Sequence, residues 1–518
     1  MASRTANSIR NAKVGLIIYA FDLLLTFFAR KYFIEFLGPE LLGLNSLAKS
    51  LLQFLNLAEL GIATAVGFSL YKPLSEKDRK TINEIISLQA YFYRWIFYFI
   101  IAASIVLMAF FPWIFADREV PLHYAYATYL SLSVAVLLSY RVNYRQIIFT
   151  ADQKQYVSTY LFQGGRVVKS ALQLGALFLF DPAYSFWVWL GMEVLVAVLS
   201  SVGLELAVRK QYPDLVASPA LGKQVRKQYP AVIASTKQVF FHRFGGFALS
   251  QSSVVIIYAY ATLTDVTIFD NYNFIVMGLI MMWETLFGGS IASIGNLVAE
   301  QPDKVQTLYW ELFSFKTWLC GIVVCATMFL AQPFITLWVG SEYVMSKMAL
   351  LWFMGSLFIR LFRNATDTFL YAFGLYKDIG APIAEAALNI GLSVLFGYYW
   401  GLPGIMAGVF VSLFLVVFIW KTFFLLREKM AHKPAVYFRQ AAFHIALLAV
   451  AVLATYYLKN LLPMNPVASY GQWLLYGLCI VFICGGLSFV LFYIFTPGMR
   501  IFCRRLIELL PGRQVLKK

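Results

Sequence analysis

Fourteen apolar runs constrain this chain more than any other feature. Each is about 20 residues or longer, enough to cross a bilayer. They lie near residues 14–37, 43–70, 86–115, 124–149, 156–180, 184–208, 238–261, 268–297, 309–338, 346–373, 380–399, 403–426, 438–458 and 471–496. Hydrocarbon offers backbone amides no water, so such runs are expected to be helices that satisfy their own backbone bonds. The fold class expected is all-α, a polytopic membrane protein of about 14 transmembrane helices. The second and eighth runs are diluted by polar residues, and the eleventh opens with Pro382. Of the 518 residues only 13% are charged, about half the share usual in soluble domains. The first run is too long for a cleavable leader and lacks a small-residue cleavage site.

The distribution of charge orients the runs. With the amino terminus inside, 27 of the 42 Lys and Arg residues fall on the cytoplasmic side, and Arg118, Lys347 and Lys459 alone fall outside. From that asymmetry both termini are expected on the cytoplasmic side of an inner membrane. It also accounts for most of the net charge of +16, and with no soluble basic domain present, nucleic acid is not an expected partner. Cys320, Cys325, Cys479, Cys484 and Cys503 show no metal-ligand spacing. Neither do His123, His242, His432 and His444, so no metal and no cofactor is expected. A GxxxxGK[ST] loop for ATP is missing from the sequence.

Twelve cations lie inside the runs. Some, such as Arg94 and Arg243, sit near run ends where they can snorkel. Seven are deep: Lys49, Arg141, Arg145, Arg166, Lys169, Arg360 and Arg363. At about 3 kcal/mol each in lipid they would cost roughly 20 kcal/mol together, more than a typical folding stability of about 5–15 kcal/mol. They are expected to line a shared polar interior. In the tenth run Arg360, Arg363, Asn364, Asp367, Thr368 and Tyr371 fall within roughly 140° of a helix surface. Asn45, Lys49, Gln53, Asn56 and Glu59 step by three and four along the second run, and Arg141 and Arg145 are four apart in the fourth. Gln163, Arg166, Ser170 and Gln173 share a face of the fifth, with Lys169 at its margin. Asn273 and Glu284 align in the eighth, and Glu385, Asn389 and Ser393 in the eleventh. One polar stripe is usually helix–helix glue; stripes on this many helices, biased to cations, favour a hydrated cavity.

The chain also repeats itself. Asn45 and the pair Gly61, Gly67 match Asn273 and Gly289, Gly295 at an offset of 228, and Arg141 matches Arg363 at 222. Two parallel six-helix lobes followed by two C-terminal helices are expected. The boundaries expected are an N-lobe at 1–210, a cytoplasmic linker at 211–236 and a C-lobe at 237–430. The last helices and a basic tail occupy 431–518. The linker, with Pro213, Pro219, Gly222 and Pro230, is the longest loop and the expected hinge.

Local sequence adds a family. Phe36-Leu37-Gly38-Pro39-Glu40-Leu41-Leu42-Gly43 resembles a turn of bacterial polysaccharide transporters. So do Glu59-Leu60-Gly61 and Phe68-Ser69-Leu70-Tyr71-Lys72-Pro73. These are the oligosaccharide flippases (Wzx type) of the multidrug/oligosaccharidyl-lipid/polysaccharide exporter (MOP) superfamily. The arrangement of six, six and two spans is similar to its lipid II flippase branch. The resemblance implies two lobes that alternate between inward-open and outward-open states. It also implies a cationic cavity for the pyrophosphate of a polyprenyl-linked oligosaccharide, the expected partner besides membrane lipids. A monomer is expected, with polysaccharide assembly machinery as its candidate neighbour.

Arginine suits the phosphate because its fork bonds bidentately. Arg141, Arg166 and Arg363 are the leading substrate-binding candidates, followed by Arg30, Lys49, Lys169 and Arg360. For Arg30 and Lys31, snorkelling to the outer headgroups is an equal alternative. Asn45, Asn56, Gln163, Asn273, Asn364 and Asn389 are candidates for sugar contact. Gradient-driven transport needs a group that titrates or binds H+ or Na+, and the intramembrane acids Asp22, Glu59, Glu193, Glu284, Asp367 and Glu385 are those candidates. Each has the alternative of neutralising a cation, which for Asp367 beside Arg363 is the stronger reading. Two other functions compete. A cation-coupled multidrug exporter would carry organic cations, against the cationic bias of the interior. A membrane-embedded polymerase or glycosyltransferase would show a long extramembrane segment with a carboxylate or metal cluster. No such segment is present, so the chain is expected to be a transporter and not an enzyme.

Overall fold

Helix is the regular structure that the apolar runs form. The computed structural model describes residues 2–59, 61–116, 119–234, 236, 252–288, 290–373, 375, 380–429 and 434–509. It is 90% helical, with no strand among the described residues. Among the described residues eight helices are long and apolar enough to cross a membrane by length and composition. They are Arg79–Ala109, Leu122–Arg141, Pro182–Gln211, Leu263–Gly288, Asp303–Trp338, Gly380–Glu428, Pro434–Leu461 and Tyr470–Phe495. The stretch Gly380–Glu428 holds two expected spans. Gly401 adopts φ 58° and ψ −139°, which a Cβ disfavours, and turns the chain back on itself. Gly404 then packs against Phe396 O and Gly408 against Ser393 N, where any side chain would collide. Most of the expected seventh span, and all but Arg209–Ala234 and Thr236 of the connector to it, lie outside the described residues.

The chain divides into two compact units, Met1–Thr267 and Ile268–Lys518. In the first, α1 (Ala2–Leu37) is followed by α2 (Pro39–Leu55), α3 (Ile62–Glu76) and α4 (Arg79–Ala109), then by α5 (Leu122–Arg141), α6 (Gly164–Leu179), α7 (Pro182–Gln211) and the short α8 (Pro219–Val225). The expected second span is thus two helices. A 3-10 turn at Asn56–Glu59 and Gly61 at φ 99° separate α2 from α3. This corrects the expected unbroken helix from Asn45 to Glu59: Asn56 and Glu59 lie in the turn, where both meet Tyr140. The fourth span is corrected likewise. It ends at Arg141, and Arg145 lies in a 3-10 turn, Asn143–Gln146, so the two arginines do not share a helix face.

The connector is docked on α4. Asn83 bridges it through Asp214 O (3.2 Å) and Val216 N (3.1 Å), Ser87 Oγ accepts from Ser218 N, and Tyr229 donates to Glu84. A Cβ on Gly222 would lie 2.0 Å from Ser87 O, so α8 sits directly on the α4 backbone.

Helix α9 (Leu263–Gly288) begins at the end of the first unit and continues into the second, which then holds α10 (Ser290–Glu300). Helix α11 (Pro302–Trp338) is the strut of this unit, and α12 (Lys347–Phe362) and α13 (Asn364–Ala372) pack on it. After the hairpin α14 (Gly380–Ser412) come α15 (Pro434–Leu458) and α16 (Tyr470–Phe495), which also dock on α11. Small residues allow the approach: Gly321 meets Leu448 and Gly485 meets Ile322. Indole donors then bind helix carbonyls across the seam, Trp318 to Gly485 O and Trp473 to Leu330 O, each at 3.1 Å. The last two spans are therefore built into the second unit along the length of α11.

Candidate functional site

The first unit encloses a polar cavity of about 470 Å³. Its walls come from α5, the turns around Asn143–Gln146 and Gln155–Gln163, the start of α6 and the middle of α7. Arg166, Lys169, Gln163, Asn143, Gln146 and Glu193 supply charged and amide groups, and Ser139, Ser158, Thr159 and Ser200 supply hydroxyls. Phe162 and Val196 are among its apolar members. Local sequence builds this wall. A widened π-type turn at Thr159–Gln163 precedes Gly164-Gly165, and such turns re-aim the side chains that follow. Gly165 lets α6 touch α7, since a Cβ there would lie 2.7 Å from Ser200 Oγ. Ser200 Oγ in turn donates to Leu161 O at 2.9 Å.

The two cations of the cavity differ in how they are held. Lys169 Nζ is 2.7 Å from Glu193 Oε2, with both side chains mostly buried, and Gln173 Nε2 donates to Glu193 Oε1 at 3.2 Å. That pair is internally compensated, and Lys49 adds its field to the same carboxylate. Arg166 is different. Its side chain is 57% exposed and its Nη2 stands 3.6 Å from Asp22 Oδ2, beyond hydrogen-bonding distance. An anion entering the cavity would meet Arg166 as a loosely held guanidinium ringed by amides and hydroxyls. Such a lining can bind phosphate by charge and sugar hydroxyls by hydrogen bonds.

The remaining candidates of this unit lie elsewhere. Arg141 is exposed at the end of α5, outside the cavity wall. Lys49 is exposed on α2, Arg30 is half-buried on α1, and Asn45 is buried in α2. Arg145 binds both oxygens of Glu205 at 2.7 Å and so braces α7. Glu59 accepts hydrogen bonds from Tyr93 (2.6 Å) and Tyr140 (2.8 Å), and Tyr140 also reaches Asn56 Oδ1 at 3.3 Å.

In the second unit Arg363 Nε lies 3.0 Å from Asp367 Oδ2, the expected i,i+4 pair. Arg360 is half-buried within the field of Arg363 and Glu385, and Glu385 is 3.5 Å from Lys421. Asn389 donates to Ser412 inside the hairpin at 3.3 Å. Asn273 is half-buried and Glu284 exposed. Lys316 is the residue that sequence reasoning passed over: it is only 1% exposed. Its ammonium donates to Asn364 Oδ1 (2.8 Å) and Thr368 Oγ1 (3.0 Å) and lies 4.7 Å from the Phe287 ring centroid. The expected wet face of the tenth span is therefore divided. Asn364 and Thr368 serve a buried lysine, while Arg363 and Asp367 serve each other. The signal for Lys316 was present as two polar acceptors four apart on another helix. Among the described residues no group of three or more His, Cys, Asp and Glu could hold a metal ion.

No family model matches the sequence, and no curated protein matches it in sequence. The fold is similar to that of the lipid II flippase MurJ in an inward closed conformation. The TM-score is 0.64 at 13% identity, over 95% of this chain and 99% of that one. It is also similar to an inward-facing multidrug resistance MATE family transporter of the MOP superfamily. There the TM-score is 0.56 at 13% identity, over 81% of this chain and all of that one. At such identities the likeness is one of fold alone. The expected all-α, polytopic architecture is borne out.

Proposed function

We propose that this chain is a flippase that carries a polyprenyl-pyrophosphate-linked oligosaccharide across a bacterial inner membrane by alternating access, for cell-surface polysaccharide assembly. The observation that carries the reading is the cavity of the first unit, where a loosely held Arg166 faces amides and hydroxyls. A lipid-linked sugar needs a wet site for its head and a cation for its phosphates, while its tail stays in hydrocarbon. Arg166 takes the phosphate, and Gln163, Asn143 and the hydroxyls take the sugar. Lys169 is neutralised by Glu193 and supports the wall. Arg363, Arg360 and Lys49 are secondary cations, and both termini face the cytoplasm of a chain acting as a monomer. A multidrug exporter would need an uncompensated acid in the cavity for an organic cation. Glu193, the acid lining it, is already bound by Lys169 and Gln173. Coupling to H+ or Na+ falls to the intramembrane acids. Of these Glu59 stands out, because hydroxyls rather than a cation donate to it.

Native mass spectrometry of the purified protein tests the reading. A polyprenyl-pyrophosphate oligosaccharide is expected to bind, and to bind more weakly to Arg166→Ala. Binding of a cationic dye without binding of the lipid-linked sugar would replace it with the drug-exporter reading.

A further inference from the structure

The last described helix, α17 (Pro497–Leu509), belongs to the second unit. Span α16 ends at Phe495, Thr496 leaves the helix at φ −116° and ψ 119°, and Pro497 begins α17 at once. Its rotation is set by contacts with the first third of α11. A Cβ on Gly498 would lie 2.3 Å from Trp310 O. Phe502 stacks on Phe315 with centroids 4.1 Å apart, and Arg505 Nη2 is 3.0 Å from Glu311 Oε2, a carboxylate whose side chain is 2% exposed.

At about 100° per residue these anchors divide α17 into three sectors. Gly498, Phe502 and Arg505 face α11. Leu506, Met499, Cys503 and Ile507 follow; Met499 is buried and Cys503 part-buried against Leu447, Leu448 and Phe492, whereas Leu506 and Ile507, nearer the end of the helix, are exposed. Beyond them come Arg500 and Arg504, both exposed. Glu508 is the acid on the far flank, and the sequence after the helix adds Arg513, Lys517 and Lys518 with no further acid. An exposed apolar sector beside a cationic one, where a spanning helix ends, is the layout of a helix lying in the lipid–water interface.

We propose that α17 is an interfacial lipid-binding element that holds anionic phospholipid headgroups. Arg500 and Arg504 contact the phosphates, while Leu506 and Ile507 enter the acyl boundary. Charge complementarity favours a lipid over a protein partner, because the apolar and cationic sectors adjoin as acyl chain and headgroup do. The inference is independent of which substrate the cavity carries.

Full-length protein in detergent, titrated separately with phosphatidylglycerol and phosphatidylcholine and read by native mass spectrometry, tests it. The wild type is expected to prefer phosphatidylglycerol. Arg500→Gln with Arg504→Gln should weaken that binding about thirtyfold, roughly fivefold for each cation near an anionic surface. Arg500→Lys with Arg504→Lys should stay within about threefold, and Lys347→Gln, at the start of α12, should match the wild type. Raised salt should weaken the wild type more than the glutamine variant. Equal affinity for the two lipids, or glutamine variants that bind phosphatidylglycerol as the wild type does, would overturn the proposal and leave the cationic sector to a protein partner.

Discussion

Replacing Arg166 by Ala separates a binding role from a structural one. A phosphate oxygen brought to about 4 Å of the guanidinium would gain about 4 kcal/mol at an effective dielectric of 20. Two features of the structure reduce that figure. Asp22 already attracts the same group from 3.6 Å, and the side chain is 57% exposed, where solvent screening brings ion pairs down towards about 0–1 kcal/mol. A net of about 1.5–2.5 kcal/mol remains, which is about a 10- to 70-fold loss of affinity. Folding should hardly change, because the Asp22 contact is of the weak, exposed kind. Two further variants give the reasoning its internal checks. Asp22→Asn removes the competitor and should tighten binding about two- to fivefold, a fraction of one exposed pair. Lys169→Ala instead strands Glu193, whose side chain is 12% exposed, and should lower stability by about 3 kcal/mol. The assays are titration of lipid-linked oligosaccharide by native mass spectrometry and thermal unfolding in detergent. Unchanged affinity in Arg166→Ala, or a loss of folded protein equal to that in Lys169→Ala, would refute the division of roles.

Other outcomes follow from the same geometry. Asn364→Leu takes one acceptor from the buried Lys316 ammonium and should cost about 1.5–3 kcal/mol, read as a fall in the unfolding midpoint. Gly321→Leu puts a side chain where Leu448 already stands; it should destabilise the seam of α11 and α15 by about 1–3 kcal/mol in the same assay. Glu59→Gln keeps the shape but cannot release a proton. If Glu59 carries the coupling proton, transport in proteoliposomes should lose its dependence on a pH gradient while substrate still binds. Asp78 caps α4, and hydrogen bonds from the Thr81 hydroxyl and amide hold its carboxyl below the usual carboxylate range. A folded pKa that is depressed adds stability above the unfolded value of about 3.9, and that stability is lost as pH falls through the folded value. Asp78→Ala should therefore lower the unfolding midpoint at pH 7, and the difference should shrink as pH falls through the folded value.

Much of the architecture was legible in the residues themselves. Run length and apolarity dictate helices because each helix closes its own hydrogen bonds. The gap between the eleventh and twelfth runs coincides with the hairpin at Gly401. Helix breaks were less legible. Asn56–Glu59 and Asn143–Gln146 read as continuations of polar stripes, because a wheel drawn through an unbroken helix cannot register a 3-10 turn. The seven deep cations looked alike in sequence, yet tertiary structure sorts them by partner. Arg145 is committed to Glu205, Lys169 to Glu193 and Arg363 to Asp367, while Arg166 keeps only a long contact with Asp22. Lys316, not among the seven singled out, is the most deeply buried Lys or Arg among the described residues. The physical reason is one of range. Helix formation depends on neighbours within four residues, and sequence determines it. Which charge is compensated depends on the rotation and approach of helices tens of residues apart, and only the packed structure decides that.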